Sequence, residues 1–189
     1  MEQLKVVDPR QDVEVMDLAA FKAAYGPWLE SVRERMEAGD FKEAFKTYPF
    51  PQPADAPWTP FTKELGQCKV AVLSTAGLYL EGEQTPFDAP HIEGDWTFRE
   101  VPTDTPAEKM GMAHTHFDHG VAEQDLNSVL PLDRLRELQA EGVIGELLSP
   151  FFSITGYCTR ADKLTEETAP AIVARLQEMG ADVLLNIPI

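Results

Sequence analysis

CKVAVLSTAG, Cys68 to Gly77, is a run of valine, alanine and leucine that ends in serine, threonine, alanine and glycine. A continuous apolar run of this length reads as a strand buried on both faces, and the small residues after it as a loop at its carboxyl end. Such a strand belongs in a parallel sheet covered by helices. The segments downstream fit that sheet. WTFREV (96–101) alternates and reads as a second strand, MGMAHTH (110–116) as a third, a further strand precedes ITGYCTRAD (154–162), and ADVLLNIPI (181–189) reads as the last. Between them lie two helical patterns. PLDRLRELQAEG has Pro131 near its first turn, leucines at 132, 135 and 138, and Gly142 as a stop. LTEETAPAIVARLQEMG places Ile172, Val173, Leu176 and Met179 on one face, with Thr165 as the expected N-cap and Gly180 at the end.

The expected fold is therefore α/β: a Rossmann-like or flavodoxin-like, mainly parallel sheet with helices on both faces and active groups at the carboxyl ends of strands. Upstream, residues 16–48 carry Leu18, Phe21, Trp28, Val32, Phe41 and Phe45 at roughly helical spacing, broken at Gly26-Pro27 and Gly39, which predicts two or three short helices. Five prolines between Pro49 and Pro60 exclude regular structure there. The expected organisation is a helical N-terminal extension (1–48), a proline-rich connector (49–67) and an α/β domain (68–189).

Sixteen basic against 32 acidic residues give a net charge of −16, which repels phosphate backbones and anionic lipid, so neither nucleic acid nor membrane is expected as a partner. With no apolar signal core after the first residues, a cytoplasmic protein is expected. Two cysteines, Cys68 and Cys158, are too few for a disulfide scaffold. They are either buried small hydrophobes or reactive thiols.

Three of the four histidines fall within HTHFDH, at positions 114, 116 and 119, with Asp118 before the last. At the carboxyl end of a strand they sit where an α/β sheet presents ligand-binding loops. Imidazole and carboxylate suit zinc or iron, so His114, His116, Asp118 and His119 form a candidate metal set. The same groups equally suit a site that binds substrate, or hydrogen-bonds within itself, with no metal. The letters H-x-H-x-D-H also resemble the signature of the metallo-β-lactamase superfamily of zinc hydrolases, over those four residues alone. That family uses further histidines downstream, and none follows His119.

A resemblance covering more of the chain emerges from the flanks. STAGLYLEGEQTPF, GDWTFREV, HTHFDHGVAEQDLNSVLPLDRLRELQAEGVIG and RLQEMGADVLLNIP follow in order the pattern of the selenoprotein B family of glycine, sarcosine, betaine and D-proline reductases and their selenium-free relatives, from about Cys68 onward. The resemblance implies reductive cleavage of a small amino-acid-like substrate by a thiol or selenol, within a multi-subunit assembly or homo-oligomer. In that family the nucleophile lies just after a final strand like VLLNIP, and no cysteine follows that strand here, so the usual nucleophile segment is expected to be absent. A non-catalytic ligand-binding or subunit-type protein, and a metal-dependent hydrolase built on the histidines, are the rival expectations.

Individual residues take candidate roles. Cys158, close to Arg160, is the candidate nucleophile, with His114 and His116 as catalytic partners. Ser74, Thr75 and Gly77 offer hydroxyls and close backbone approach to a small anion, or form an ordinary turn. Asp125 and Asn127 orient the histidines or bind an amine, or else cap the following helix. Arg99 is a candidate partner for a substrate carboxylate, or an outward strand residue. Cys68, at the start of an apolar run, is expected to be structural.

Overall fold

The computed structural model describes residues 18–49 and 60–189. Residues 1–17 of the helical extension and 50–59 of the proline-rich connector lie outside the described residues. The chain divides into two compact units, Met1–Phe61 and Thr62–Ile189.

In the first unit, helix α1 (Leu18–Glu37) is followed by the short α2 (Phe41–Phe45). The break expected at Gly26-Pro27 does not occur: α1 runs through Pro27. A proline inside a helix removes one backbone bond. Packing beyond it offsets that loss, since Trp28 and Val32 are buried with Ala44 of α2, and the Trp28 ring meets Tyr48 edge-on at 4.8 Å. Gly39, with φ +77°, ends the helix as expected.

The second unit is built on β1 (Lys69–Ser74). Strand β2 is Leu78–Leu80, β3 Arg99–Val101, β4 Met110–Met112, β5 Glu146–Leu147, β6 Phe151–Ser153 and β7 Val183–Ile187. Helix α3 spans Leu132–Ala140. A short α4 (Ala161–Lys163) passes through a π turn (Leu164–Thr168) into α5 (Ala169–Met179).

Val70 pairs with Leu147 and also with Val183, and Ser74 with Ser153 and also with Ile187, all in parallel. A strand has two edges, so β5 and β6 share one edge of β1 as a single interrupted strand, and β7 takes the other. Strand β3 joins the outer side of β6 antiparallel, with Val101 opposite Phe151. The sheet is mainly parallel, as expected, with one antiparallel edge. Alternation along β1 divides its side chains between two layers. Val70 and Val72 pack with Phe151, Val101, Leu130 and the α3 leucines Leu132 and Leu135, whereas Leu73 packs with Phe152 and with Ile172 of α5. Helices therefore cover both faces, and the unbroken apolar run of β1 is explained by burial on each.

Two elements differ from expectation. The third strand proposed at 110–116 shortens to β4, which leaves the main sheet and pairs antiparallel with β2, a strand not foreseen. Tyr79 reaches across that ribbon over Gly111, where a Cβ would stand 2.3 Å from the ring. Thr165 is not a helix N-cap; it lies in the π turn. The helical stretch starts earlier, with Asp162 in its first turn, where the helix dipole favours an acid. Gly180 ends α5 at φ +68° as expected. Among the described residues no helix is long and apolar enough to cross a membrane.

Candidate functional site

From β1 the chain passes through the β2–β4 ribbon, adding β3 at the sheet edge on the way, and then α3, with ribbon and helix packed on one face, before reaching β5 and β6, while β6 connects to β7 through α5 on the other. Adjacent strands β1 and β6 thus send their chains to opposite faces. At such a switch point the loops diverge and leave a crevice outside the carboxyl ends, the place where open α/β sheets bind ligands. Thr75 follows β1 there, Gly156 lies just beyond β6, and Ile189 just beyond β7.

His114 is brought to the same point. It is 6% exposed, and its Nε2 is buried without a hydrogen-bond partner. Its Nδ1 accepts the backbone N–H of His116 at 3.1 Å. A neutral imidazole with Nδ1 accepting carries its proton on Nε2, so His114 presents an unused N–H donor. Burial, then the nearby His116 and His119, push its pKa below the usual imidazole value of 6.5, and the ring is neutral at pH 7. An ideal Cβ on Gly156 would stand 3.0 Å from the Ile189 carbonyl oxygen, 3.1 Å from His114 Nε2 and 3.2 Å from Thr75 Oγ1. These three polar atoms form a tight cradle around Gly156, a closeness that only the missing side chain permits.

The 155–160 loop that bears Gly156 is well tied. The Thr155 hydroxyl donates to the Asp95 carbonyl at 2.9 Å, the Thr159 amide to that of Glu93 at 2.9 Å, and the Tyr157 hydroxyl to that of Ile92 at 3.1 Å. Asp95 itself is held below the usual carboxylate range: burial works against its charge, but hydrogen bonds from Thr97 and the Asp88 amide outweigh it.

The His116 ring lies edge-on to that of His114, 6.1 Å between centroids, while the remaining candidates have local partners. The His116 ring is exposed and stacks on Tyr157 at 3.8 Å, and Asp118 accepts the Gly120 amide at 2.9 Å. His119 packs on Phe117 at 4.7 Å and lines a different cleft, of about 550 Å³, with Glu81, Met110, Met112 and Glu123. Within HTHFDH, His114 and His116 thus lie close together, whereas Asp118 bonds to Gly120 and His119 faces the other cleft. Ligation of a metal through His114 Nε2 needs a proton on Nδ1, the position where the His116 amide donates in this structure. Among the described residues no group of three or more His, Cys, Asp or Glu is placed to hold a metal ion.

Of the small residues after β1, only Thr75 faces the cradle; its Oγ1 accepts the Ile189 amide at 2.8 Å. Ser74 is fully buried, donates to the Val129 carbonyl at 2.8 Å and accepts the Ala76 amide. The amides of Thr75 and Gly77 are bonded to Ile187 and Ile154, so this turn presents no free N–H groups to an anion. Asp125 and Asn127 do not orient the histidines. Asn127 accepts the Asp133 amide at the start of α3 and donates to both the Asp125 and Asp133 carboxylates, which is the capping alternative. Arg99 is spent on the carbonyls of Thr85 and Phe98 and lies 4.2 Å over the Phe87 ring.

Cys68 is fully buried, and its S–H donates to the Glu64 carbonyl at 3.2 Å, a structural place as expected. Cys158 is partly exposed, two residues beyond Gly156. Arg160 pairs with Asp162 and approaches Glu93 at 3.7 Å, so its charge is already balanced. That pairing holds the Asp162 carboxyl down at about 2. Exposure therefore predicts that iodoacetamide labels Cys158 in native protein at least about tenfold faster than Cys68, read by peptide mass spectrometry; equal rates would contradict the burial difference.

A second expectation follows from His114. Its depressed pKa means that the folded state binds fewer protons than the unfolded chain. Stability is full above the ordinary imidazole pKa and falls as pH drops from there toward the folded value. Urea midpoints at pH 7.5 and 5.5 should differ more for wild type than for His114→Gln. An equal difference in both would assign the loss to other groups.

A family model described as glycine/sarcosine/betaine reductase selenoprotein B matches residues 34–186. The chain belongs to the selenoprotein B family. Among similar proteins are a D-proline reductase subunit gamma of Acetoanaerobium sticklandii, 34% identical over 68% of this chain and 51% of the relative, and a glycine reductase complex component B subunit gamma of Carboxydothermus hydrogenoformans, 29% identical over 74% and 32%. A sarcosine reductase complex component B subunit beta of Peptoclostridium acidaminophilum is 34% identical over 60% of this chain and 27% of the relative. The chain spans about half or less of the length of these relatives. No solved structure matches it. The region matched by the selenoprotein B model includes Thr75, His114, Gly156 and Cys158. Gly156 escaped the sequence reading although its signal was present: a glycine placed just after the strand that precedes ITGYC, at the carboxyl edge of the sheet.

Proposed function

We propose that this chain is a reductase-type subunit that binds a small amino-acid-like molecule at the carboxyl ends of β1 and β6 and takes part in reductive cleavage of its carbon–nitrogen bond. The observation that carries this is the buried, unpartnered Nε2–H of His114 at the switch point of the sheet, in a chain of the selenoprotein B family. The names of the relatives suggest glycine, sarcosine, betaine and proline as candidate substrates and other reductase subunits as partners. Such cleavage adds two electrons and two protons across the bond, leaving a C–H and a free amine; oxidation of a dithiol to a disulfide supplies both. Cys158, partly exposed and two residues beyond Gly156, is this chain's candidate thiol.

A second reading is favoured by the balanced charge of Arg160, which leaves Cys158 without the free cation expected to activate it. In that reading the chain binds ligand and a partner subunit holds the nucleophile. The test is a thermal-shift titration with the four candidates beside an amine-release assay with dithiothreitol. A rise in midpoint with at least one is expected, and no rise with any would refute the proposal. Turnover lost in Cys158→Ser assigns the chemistry to this chain, whereas binding without turnover assigns it to a partner.

A further inference from the structure

The cleft beside His119 does not stand alone. A second cleft of about 550 Å³ adjoins it, and the two share Ala107 and Met110, from the segment that enters β4, with Gln124 and Leu126, from the turn ahead of α3. They are two ends of one groove between those segments. Its floor is apolar: Met110, Met112 and Leu126 are only partly buried against the core. Its walls are acidic. Glu81, Asp104, Glu108 and Glu123 line it, all are exposed, and none forms an ion pair among the described residues. Asp125 and Asp133 line it as well, but they are committed to Asn127 and Arg136. Among the described residues Arg136 is the only basic one that lines the groove, and its guanidinium is bound to Asp133 and to the Thr103 carbonyl. Lys109 does not line it.

Carboxylates without a counter-charge, set along walls of low dielectric, concentrate a negative field in the groove. An exposed acid alone is ordinarily just solvated, and the apolar floor is what distinguishes this face. Together the two match a segment that carries lysine or arginine beside apolar side chains, the pattern read by grooves that bind amphipathic helices. Methionine suits such a floor, being unbranched and able to reshape around an incoming side chain. We propose that this groove docks a basic amphipathic segment of a partner protein, its apolar side chains on Met110, Met112 and Leu126 and its cations against Glu81, Asp104, Glu108 and Glu123. The net charge of −16 sets a second copy of this chain against the groove, so the occupant is a protein of opposite charge. The docking surface does not depend on the reductase reading, since none of these residues takes part in it.

The experiment uses the full chain and a synthetic, fluorescently labelled peptide of sequence LKKLLKLLKKLLKL, read by anisotropy at about 0.15 M salt, where charges more than about 8 Å apart are largely screened. Wild type should bind it. The counterpart with serine for every leucine keeps the charge and should bind at least about tenfold more weakly, because the apolar contacts are gone. Two quadruple variants then carry the same change in net charge. Glu81→Gln/Asp104→Asn/Glu108→Gln/Glu123→Gln removes the unpaired carboxylates of the groove and should cost at least about tenfold in affinity, whereas Glu64→Gln/Asp88→Asn/Glu141→Gln/Glu166→Gln removes exposed acids elsewhere and should stay within about threefold of wild type. All of these side chains are exposed and without an ion pair among the described residues, so both variants should fold as wild type does, which their urea midpoints check. No binding by wild type, equal losses in the two variants, or equal affinity for the serine peptide would overturn the proposal.

Discussion

Phe151→Ala should lower the unfolding free energy by about 3–5 kcal/mol, the range for removing a buried phenylalanine and leaving a cavity. Phe151 is 0% exposed and sits in β6 where three elements meet: Val101 pairs with it across β3, Val72 of β1 lies in the same layer, and Leu130, Leu132 and Leu135 close that layer from the α3 side. No neighbour is free to collapse into the gap, because the strands on either side are held by the ladder and the helix is anchored by the Asn127–Asp133 cap. Against a typical total of about 5–15 kcal/mol, the loss takes a large share of the stability of the domain. Urea melts give the answer directly, and a loss under about 1 kcal/mol would show that the α3 layer repacks.

Gly77→Ala is the second large effect. Gly77 has φ +70°, where a residue with a Cβ costs about 1–2 kcal/mol. Its added carbon would also stand 2.3 Å from the Ala113 carbonyl oxygen. That oxygen cannot retreat cheaply: the Ala113 amide donates to the Gly77 carbonyl, and the Gly77 amide to that of Ile154, both at 2.9 Å. Overlap of this kind adds about 1–3 kcal/mol, so a total near 2–5 kcal/mol is expected. Gly82→Ala is the control, since Gly82 has φ +76° but nothing within 4 Å of the new carbon, and should show only the backbone cost. Similar losses in the two variants would mean that the contact with Ala113 relaxes without consequence. Because Ala113 precedes His114, Gly77→Ala should disturb the ligand site as well as the fold.

The sheet was legible because its central strand is buried on both faces. Val70 to Leu73 carry no polar interruption, and the leucines of α3 and the Ile172 face of α5 repeat at helical spacing, so hydrophobic pattern alone pointed to a sheet with helices on both faces. What pattern does not encode is pairing. Strand β4 is three residues long and joins β2 in a ribbon outside the sheet, a choice made by the Tyr79–Gly111 fit rather than by periodicity. The break between β5 and β6 shifts their register against β1 with no warning in composition.

The site was half legible. His114 and Thr75 were read from residue type and position at strand ends, and both face the cradle. His116, Asp118 and His119 were grouped with His114 by sequence proximity, and a turn gives each its own partner: the His116 ring stays 6.1 Å from that of His114 but stacks on Tyr157, the carboxylate bonds Gly120, and the last ring enters another cleft. Asp125, Asn127, Ser74 and Arg99 are polar groups whose partners are local backbone and side chains, and spacing alone does not distinguish such use from ligand binding. Gly156 has no side chain to attract attention, and its significance comes from what three other segments place beside it.

The central claim is that His114 is a neutral imidazole held with its proton on Nε2 at the switch point of the sheet. Long-range proton–nitrogen spectra of uniformly labelled protein at pH 7.5, with His114 assigned through His114→Gln, read the tautomer of each ring. The account predicts a protonated Nε2 and an unprotonated, hydrogen-bonded Nδ1 for His114; a ring protonated on Nδ1, or doubly protonated at that pH, would contradict it.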